Sequence, residues 1–224
     1  MARFQRLDVL NNMVAAGVIP VFYNADVELA ADIVRACRKG GARCIEFTNR
    51  GDHAFEIFSQ LHSRFTSELP DVILGVGSVV DPGTASIYIN AGAGFVVGPV
   101  FNPEVARVCN RRKVAYSPGC GSASEVSAAE EMGCEIIKIF PGSQVGGPAF
   151  VMAIKGPMPW TSIMPTGGVD VTEESIGAWI GAGCVCLGIG SKLITRDAVA
   201  AGEWDKIAAN VAKAIELVKK ARGN

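Results

Sequence analysis

Residues 133–142 read Gly-Cys-Glu-Ile-Ile-Lys-Ile-Phe-Pro-Gly, a glycine followed by a short apolar run that holds one cation, Lys138. The run has the length and apolar character of a strand buried on both faces. Burial disfavours the charged form of a lysine and lowers the pKa of its amine, and a neutral amine can attack a carbonyl carbon to form a Schiff base. The alternative interpretation is a lysine on a solvated strand face, or one whose amine reaches water at the strand end.

The same frame, a glycine followed by an apolar strand, occurs four times. The copies are 41–46, 92–97, 133–138 and 181–186. Each glycine suits the end of a helix, where a positive φ is needed, and leads into an even-numbered strand. The frame places Glu46 and Lys138 at the same step of strands two and six, which face each other across an eight-stranded barrel. We therefore expect a carboxylate and an amine to point at one another near the carboxyl-terminal mouth of a barrel.

Strand-like and helix-like segments alternate along the chain. Apolar runs of strand length lie at 18–22, 43–47, 72–76, 95–97, 114–116, 135–139, 162–164 and 184–187. Amphipathic segments lie between them, for example at 27–38, 54–65, 122–132 and 173–180, and 205–222 forms a closing amphipathic helix. This pattern predicts a single (β/α)8 TIM barrel domain over residues 1–224, with residues 3–15 as an N-terminal helix that caps the barrel floor.

The composition limits the classes of partner and compartment. A net charge of −1 gives no electrostatic reason to expect nucleic acid or an anionic membrane surface as a partner. The uncharged stretch 82–103 is interrupted by glycines and prolines, so we predict no membrane helix, and the N-terminus lacks a signal-peptide pattern. Seven cysteines, an odd number partly in apolar runs, favour reduced thiols and a cytoplasmic location.

The cysteines and histidines do not predict a metal site. Cys184 and Cys186 share one strand face without other close cysteine or histidine ligands, and buried apolar packing is the better interpretation of both. His53 and His62 stand outside any cluster with metal-ligand spacing. We therefore expect neither a metal nor a cofactor.

Polar side chains follow predicted strands two and three. Glu46 is a candidate proton shuttle, and the planar fork of Arg50 suits a substrate carboxylate. The alternative for this pair is a structural ion pair at the barrel rim. After strand three, Gly77 lets a substrate approach the backbone and Ser78 offers a hydroxyl, for which helix capping is the alternative.

Glycine-rich loops follow strands seven and eight. They carry Thr166-Gly167-Gly168 and Gly190-Ser191-Lys192. Backbone N–H groups in these two loops of a barrel commonly bind phosphate. Lys192 adds charge to such a site or points to solvent.

These motifs together resemble the 2-keto-3-deoxy-6-phosphogluconate (KDPG) aldolase family, which includes bifunctional 4-hydroxy-2-oxoglutarate (KHG) aldolases. The resemblance runs from about Ile19 to Ile194. Its most specific parts are Ile45-Glu-Phe-Thr-Asn-Arg50, Gly75-Val-Gly-Ser-Val79, Ser117-Pro-Gly119, Lys138-Ile-Phe-Pro141 and Pro165-Thr-Gly-Gly168.

The resemblance implies a role for each matched residue. Lys138 is the Schiff-base lysine of a metal-free class I aldolase, and Glu46 is its general acid/base. Arg50 binds the pyruvyl carboxylate, and Ser78, which falls where many members have Thr, keeps a hydroxyl contact to it. Pro99 falls at the family's Ser-Pro-Gly, although its flanking residues depart from that pattern. The remaining matches are Phe140 beside the imine and Thr166, Gly167, Gly168, Gly190 and Ser191 in the phosphate-binding loops.

The implied activity is cleavage of KDPG to pyruvate and glyceraldehyde 3-phosphate, with a phosphorylated 2-keto acid as the partner molecule and a homotrimer as the assembly. Aldolases acting mainly on 4-hydroxy-2-oxoglutarate or on the phosphogalactonate analogue share the same catalytic residues and remain open. A metal-free phosphosugar isomerase or epimerase would use the phosphate loops without Lys138. A catalytically inactive barrel is the remaining alternative, against which the joint presence of Lys138, Glu46 and Arg50 argues.

Overall fold

A computed structural model describes residues 3–223, in which nine strands and ten helices alternate. The strands are β1 Val18–Phe22, β2 Cys44–Thr48, β3 Ile73–Gly77, β4 Phe95–Val97, β5 Ala115–Ser117, β6 Gly119–Cys120, β7 Ile136–Ile139, β8 Ser162–Pro165 and β9 Leu187–Ile189. The helices are α1 Arg6–Ala16, α2 Val27–Lys39, α3 Ala54–Glu68, α4 Pro82–Asn90, α5 Pro103–Arg112, α6 Ala123–Glu131, α7 Gly147–Lys155, α8 Glu173–Gly181, α9 Arg196–Ala200 and α10 Trp204–Ala221.

The strands form a closed parallel barrel. They pair in the orders β5-β4-β3-β2-β1-β9 and β6-β7-β8, and every pair is parallel. β5 and β6 are one barrel strand interrupted at Pro118, whose carbonyl accepts the Lys138 N–H at 3.0 Å. On the other side, isolated bridges at Ile163–Cys184 and Thr166–Gly188 join β8 and the residue after it to β9 and the segment that leads into it. The predicted (β/α)8 TIM barrel is therefore confirmed.

Helix α1 closes the amino-terminal end of the barrel, as predicted. Its Val9, Leu10 and Met13 are buried against a small apolar cluster inside the barrel. That cluster contains Ile19, Cys44, Ile73, Phe95, Val97, Ala115, Ile136, Met164 and Cys186. The floor is thus filled with side chains, which leaves the carboxyl-terminal end as the open one.

The fourth copy of the glycine frame was assigned two residues too early. Gly181 is the last residue of α8, and Gly183 adopts the positive φ of +100° that the frame requires. β9 accordingly begins at Leu187, whereas the sequence predicted a strand at 184–187. Gly188 follows Gly183 at the same spacing at which Lys138 follows Gly133, so Gly188 is the residue of β9 that corresponds to Lys138 of β7. The other three frame glycines have positive φ as predicted.

Polar caps fix where several helices begin above the barrel mouth. Asp26 Oδ1 accepts the N–H groups of Glu28 and Leu29 at 2.8 and 3.0 Å, and Asp81 Oδ1 accepts that of Thr84 at 2.8 Å. Such caps stabilise the first turn of a helix and so keep the preceding loop short. None of the helices between Arg3 and Gly223 combines the length and apolar character needed to cross a bilayer.

Candidate active site

Lys138 and Glu46 lie inside the barrel. Lys138, in β7, is 5% exposed, and Glu46, in β2, is 1% exposed. The solvated-face interpretation of Lys138 is therefore wrong. Each side chain influences the charge state of the other, as expected for residues that share the barrel interior.

Gly77 makes room for the Glu46 carboxylate. A Cβ atom added at Gly77 would lie 1.8 Å from Glu46 Oε1 and 2.6 Å from its Cδ. Gly77 is in β3, the strand beside β2, and Thr48 is its register partner. Only a glycine at this position lets the Glu46 side chain take its observed orientation. The sequence predicted close approach at Gly77, and the group that approaches is the chain's own carboxylate.

Burial shifts the pKa values of Lys138 and Glu46 in the directions that favour the neutral form of each side chain. Desolvation lowers the pKa of the Lys138 amine. The Glu46 carboxylate acts in the opposite direction and raises this pKa, and the charge of Arg50 lowers it further. Desolvation also raises the pKa of Glu46, against the opposing charges of Lys138 and Arg50. Glu46 Oε2 is buried and has no hydrogen-bond partner within residues 3–223. The pair thus combines a nucleophilic amine with a carboxyl group able to take and return a proton.

Phe140 packs beside the lysine amine. Lys138 Nζ lies 4.7 Å from the centroid of the Phe140 ring. The negative face of an aromatic ring attracts a cation and keeps water away from it. A positive charge that develops on the Lys138 nitrogen is therefore stabilised at this point.

A cavity of about 700 Å³ opens at the carboxyl-terminal side of the barrel. It brings together residues predicted from separate loops: Arg50, Phe140, Thr166, Gly167, Gly190 and Ser191. Thr166 Oγ1 is buried and has no hydrogen-bond partner in the described part of the chain. Among these residues, the cavity therefore has the Arg50 guanidinium after β2 and the unsatisfied Thr166 hydroxyl after β8.

The glycine-rich loops leave backbone donors free. Between Arg3 and Gly223, the N–H groups of Gly168, Gly190 and Ser191 donate to no backbone carbonyl. Lys192 points away, because its Nζ pairs with Asp170 Oδ1 at 2.8 Å and its side chain is 63% exposed. An anion here would be bound by backbone groups and not by Lys192.

Five predicted residues are not among those that line this cavity: Lys138 and Glu46, which are buried in the barrel interior, and Ser78, Pro99 and Gly168. Ser78 lies after β3 and has a left-handed φ of 61°; it does not cap α4, because Asp81 does. The Pro99 carbonyl packs tightly on Gly119, where an added Cβ would lie 2.2 Å from it. Gly168 packs on Ser143, and its carbonyl accepts the Trp179 Nε1–H at 3.3 Å.

The histidines and cysteines lie away from this chemistry. His53 is largely exposed and contacts Glu56, while His62 stacks on Phe58. The seven cysteines are buried and free of disulfide bonds, and burial raises the pKa of Cys37, for example, to about 12. In residues 3–223, no three His, Cys, Asp or Glu side chains gather as a metal site would require.

Sequence reasoning missed one wall of the cavity. Tyr23 and Asn24, after β1, and Arg196, at the start of α9, line it together with apolar side chains of α2 and α9. The signal that would have found Tyr23 and Asn24 is their place directly after the first strand, since barrel sites use βα loops. Arg196 follows β9 but lies at the first residue of α9, beyond the glycine-rich motif on which the sequence prediction for that loop rested.

The chain matches known proteins over most of its length. The model of a family described as "KDPG and KHG aldolase" matches residues 9–210. This chain belongs to that family. It is therefore a carbon–carbon lyase, an aldolase.

Relatives and solved structures agree with this membership. The 2-dehydro-3-deoxy-phosphogluconate aldolase of Treponema pallidum is 33% identical over 201 residues, which are 90% of this chain and 93% of that protein. The KHG/KDPG aldolase of Escherichia coli K12 is 29% identical, over 90% of this chain and 92% of its own. A crystal structure of KDPG aldolase from Legionella pneumophila, with pyruvate captured as a covalent carbinolamine, superposes with a TM-score of 0.83 at 28% identity, over 94% and 98% of the two chains.

Proposed function

We propose that this chain is a class I aldolase that cleaves KDPG to pyruvate and glyceraldehyde 3-phosphate through an iminium on Lys138. The observation that carries the proposal is the buried Lys138 amine, held beside Phe140 in a barrel interior that it shares with Glu46. Family membership gives the reaction class, and the names of the relatives indicate the substrate.

The first half of the reaction activates the substrate. The neutral Lys138 amine attacks the C2 ketone carbon, and the resulting carbinolamine loses water to give an iminium. The lowered pKa of Lys138 increases the fraction of the amine that is in the neutral, nucleophilic form. The iminium cation withdraws electrons from the neighbouring C3–C4 bond, and the face of Phe140 stabilises that cation.

Glu46 handles the protons in the second half. Directly or through a water, its carboxylate removes the proton of the C4 hydroxyl, the C3–C4 bond breaks, and its electron pair moves into the iminium to form an enamine. The aldehyde leaves. Glu46 then returns the proton to C3, and hydrolysis of the new iminium releases pyruvate and regenerates Lys138. A carboxyl group whose pKa is raised by burial suits both directions of this transfer.

The two ends of the substrate are anions, and the cavity offers a site for each. Arg50, which lines the cavity, binds the pyruvyl carboxylate; by the family resemblance, the Ser78 hydroxyl and the Pro99 backbone, which are not among the lining residues, contact the same group. The phosphate binds at the loops that carry Thr166, Gly167, Gly168, Gly190 and Ser191, where backbone N–H groups are free. A substrate of the 4-hydroxy-2-oxoglutarate type would use the same lysine and the same carboxylate site.

Steady-state cleavage assays test this proposal. Wild type is expected to cleave KDPG with a higher kcat/KM than 4-hydroxy-2-oxoglutarate or the phosphogalactonate analogue. Lys138→Ala should reduce cleavage of all three to background, because no other group forms the imine. Lys213→Ala, which removes an exposed lysine of α10, is the matched control and should keep wild-type activity. Full activity of Lys138→Ala would exclude the class I mechanism, because cleavage would then proceed without an imine on this residue.

The proposal includes a cytoplasmic homotrimer. The family resemblance implies the trimer, and exposed apolar side chains at Val80, Ile87 and Val100 provide a surface that an assembly would cover. The seven free, buried cysteines fit a reducing compartment.

A further inference from the structure

We propose that Arg196 is a specificity-determining residue that binds the terminal phosphoryl group of the substrate. The inference rests on the proposed function, because it extends the phosphate end of that site. Arg196 is not part of any motif by which the chain resembles its family. Its assignment comes from the charge, rigidity and hydrogen-bonding pattern of one wall of the cavity.

The charges around the cavity are all positive. Among the described residues that line it, Arg50 and Arg196 are the cations, and no lining residue is an aspartate or glutamate. Arg50 follows β2 and Arg196 begins α9, after β9, so they stand on different loops. A cavity with a guanidinium group on each of two loops suits a substrate with two anionic groups.

Arg196 has no other partner. Within residues 3–223 its guanidinium forms neither an ion pair nor a hydrogen bond, whereas the neighbouring Lys192 is paired with Asp170. Other arginines of this chain bind a carboxylate, for example Arg35 with Glu68 and Arg64 with Glu28. The free guanidinium of Arg196 is therefore available to a ligand, and its planar fork matches a phosphoryl group.

The backbone below Arg196 is fixed relative to the glycine-rich loop. The Gly190 carbonyl accepts the N–H groups of Leu193 and Ile194 at 2.9 and 3.1 Å, and both side chains are buried. Thr195 Oγ1 then accepts the Ala198 N–H at 3.2 Å and caps α9. Only the side chain of Arg196 has to move to meet an anion held at Gly190, so little conformational freedom is lost on binding.

Asn24, in the loop after the neighbouring strand β1, also lines the cavity. Its Oδ1 accepts the Asp26 N–H at 2.8 Å, so its amide NH2 is left as the free donor. Oδ1 of Asp26 also accepts the N–H groups of Glu28 and Leu29 in the first turn of α2, and Asp26 does not line the cavity. Arg196, Asn24 and the N–H of Ser191 therefore all offer donors, and no carboxylate among the described residues lines the cavity, which favours a phosphoryl group over a neutral hydroxyl group.

The test compares Arg196→Gln with Lys192→Gln, which removes the same charge from a neighbouring position outside the cavity. The measured quantity is the ratio of kcat/KM for KDPG to kcat/KM for its unphosphorylated counterpart. Loss of a charge-assisted contact should lower this ratio about 10- to 100-fold in Arg196→Gln, mainly through KM. Lys192→Gln should keep the wild-type ratio. Arg196→Lys should restore part of it, because lysine keeps the charge but loses the fork.

Binding of inorganic phosphate, measured by calorimetry on the whole protein, separates this inference from the proposed function. Weaker phosphate binding by Arg196→Gln than by Lys192→Gln supports the role of Arg196 even if wild type forms no imine with pyruvate. Equal ratios and equal phosphate affinities in Arg196→Gln and wild type would overturn it. Equal losses in Arg196→Gln and Lys192→Gln would also overturn it, since they would show a general effect of charge.

Discussion

At the scale of the residue, the chemistry depends on charge placed in an apolar interior. Lys138 and Glu46 could be predicted from the sequence because they are the only two charged residues at their step of the shared glycine frame, each within a strand-length apolar run. Their pKa directions follow from burial. Arg196 could not be predicted in this way, because a surface arginine beside a short helix has no pattern that distinguishes it from a solvated side chain.

Replacement of Glu46 by glutamine should separate imine formation from turnover. Glu46→Gln keeps the shape of the side chain but cannot carry a proton, so the enamine chemistry should slow by about 100-fold or more. The imine with pyruvate should still form on Lys138. The measurements are kcat for cleavage and the fraction of protein reduced by borohydride in the presence of pyruvate. Wild-type turnover in this variant would contradict the assigned role of Glu46.

The pH dependence of imine formation should report the lowered pKa of Lys138. The amine reacts only when neutral, so the rate with pyruvate should rise with pH and level off once the amine is deprotonated. Because burial lowers this pKa, the midpoint should lie below 10.5, the ordinary value for lysine. Single-turnover reactions quenched into borohydride at a series of pH values measure it. A midpoint at or above the ordinary value would show that the Lys138 amine is not desolvated in solution.

At the scale of the element, the barrel strands are short apolar runs, and contacts between adjacent strands position the side chains of the site. Most were predicted to within a residue or two, because strands buried on both faces are continuous in their apolar character. β9 was misplaced because Gly181-Ala-Gly183 offers two possible helix ends, and only tertiary structure selects Gly183. The division between β5 and β6 at Pro118 and the short helix α9 also depend on packing that the local sequence does not specify.

The contact between β3 and β2 gives a prediction at this scale. In Gly77→Ala the new Cβ would overlap Glu46 Oε1, so the carboxylate must move. A displacement of about 1 Å at a reacting group is expected to lower kcat about 100-fold. Gly177→Ala is the control, because nothing lies within 4 Å of a Cβ at that helical position. Equal kcat values in the two variants, with both folded, would show that the site tolerates the shift.

At the scale of the whole molecule, the closed floor and open mouth direct substrate to one end of the barrel. The predicted homotrimer is tested by sedimentation of the protein at micromolar concentration. The expected mass is three times the 23.5 kDa of one chain. Ile87→Glu places a charge in the exposed apolar surface and should shift the population toward single chains, with circular dichroism as the check on folding. A wild-type mass of one chain would contradict the trimer.

The most direct test of the mechanism is reduction with borohydride in the presence of pyruvate, followed by peptide mapping. A reduced adduct on Lys138 would block trypsin there and join residues 114–138 to 139–155 in one heavier peptide, and Lys138→Ala should give no adduct. This is the result we predict. A folded wild-type protein that carries no adduct, or carries it on another lysine, would contradict the assignment of Lys138 as the Schiff-base residue.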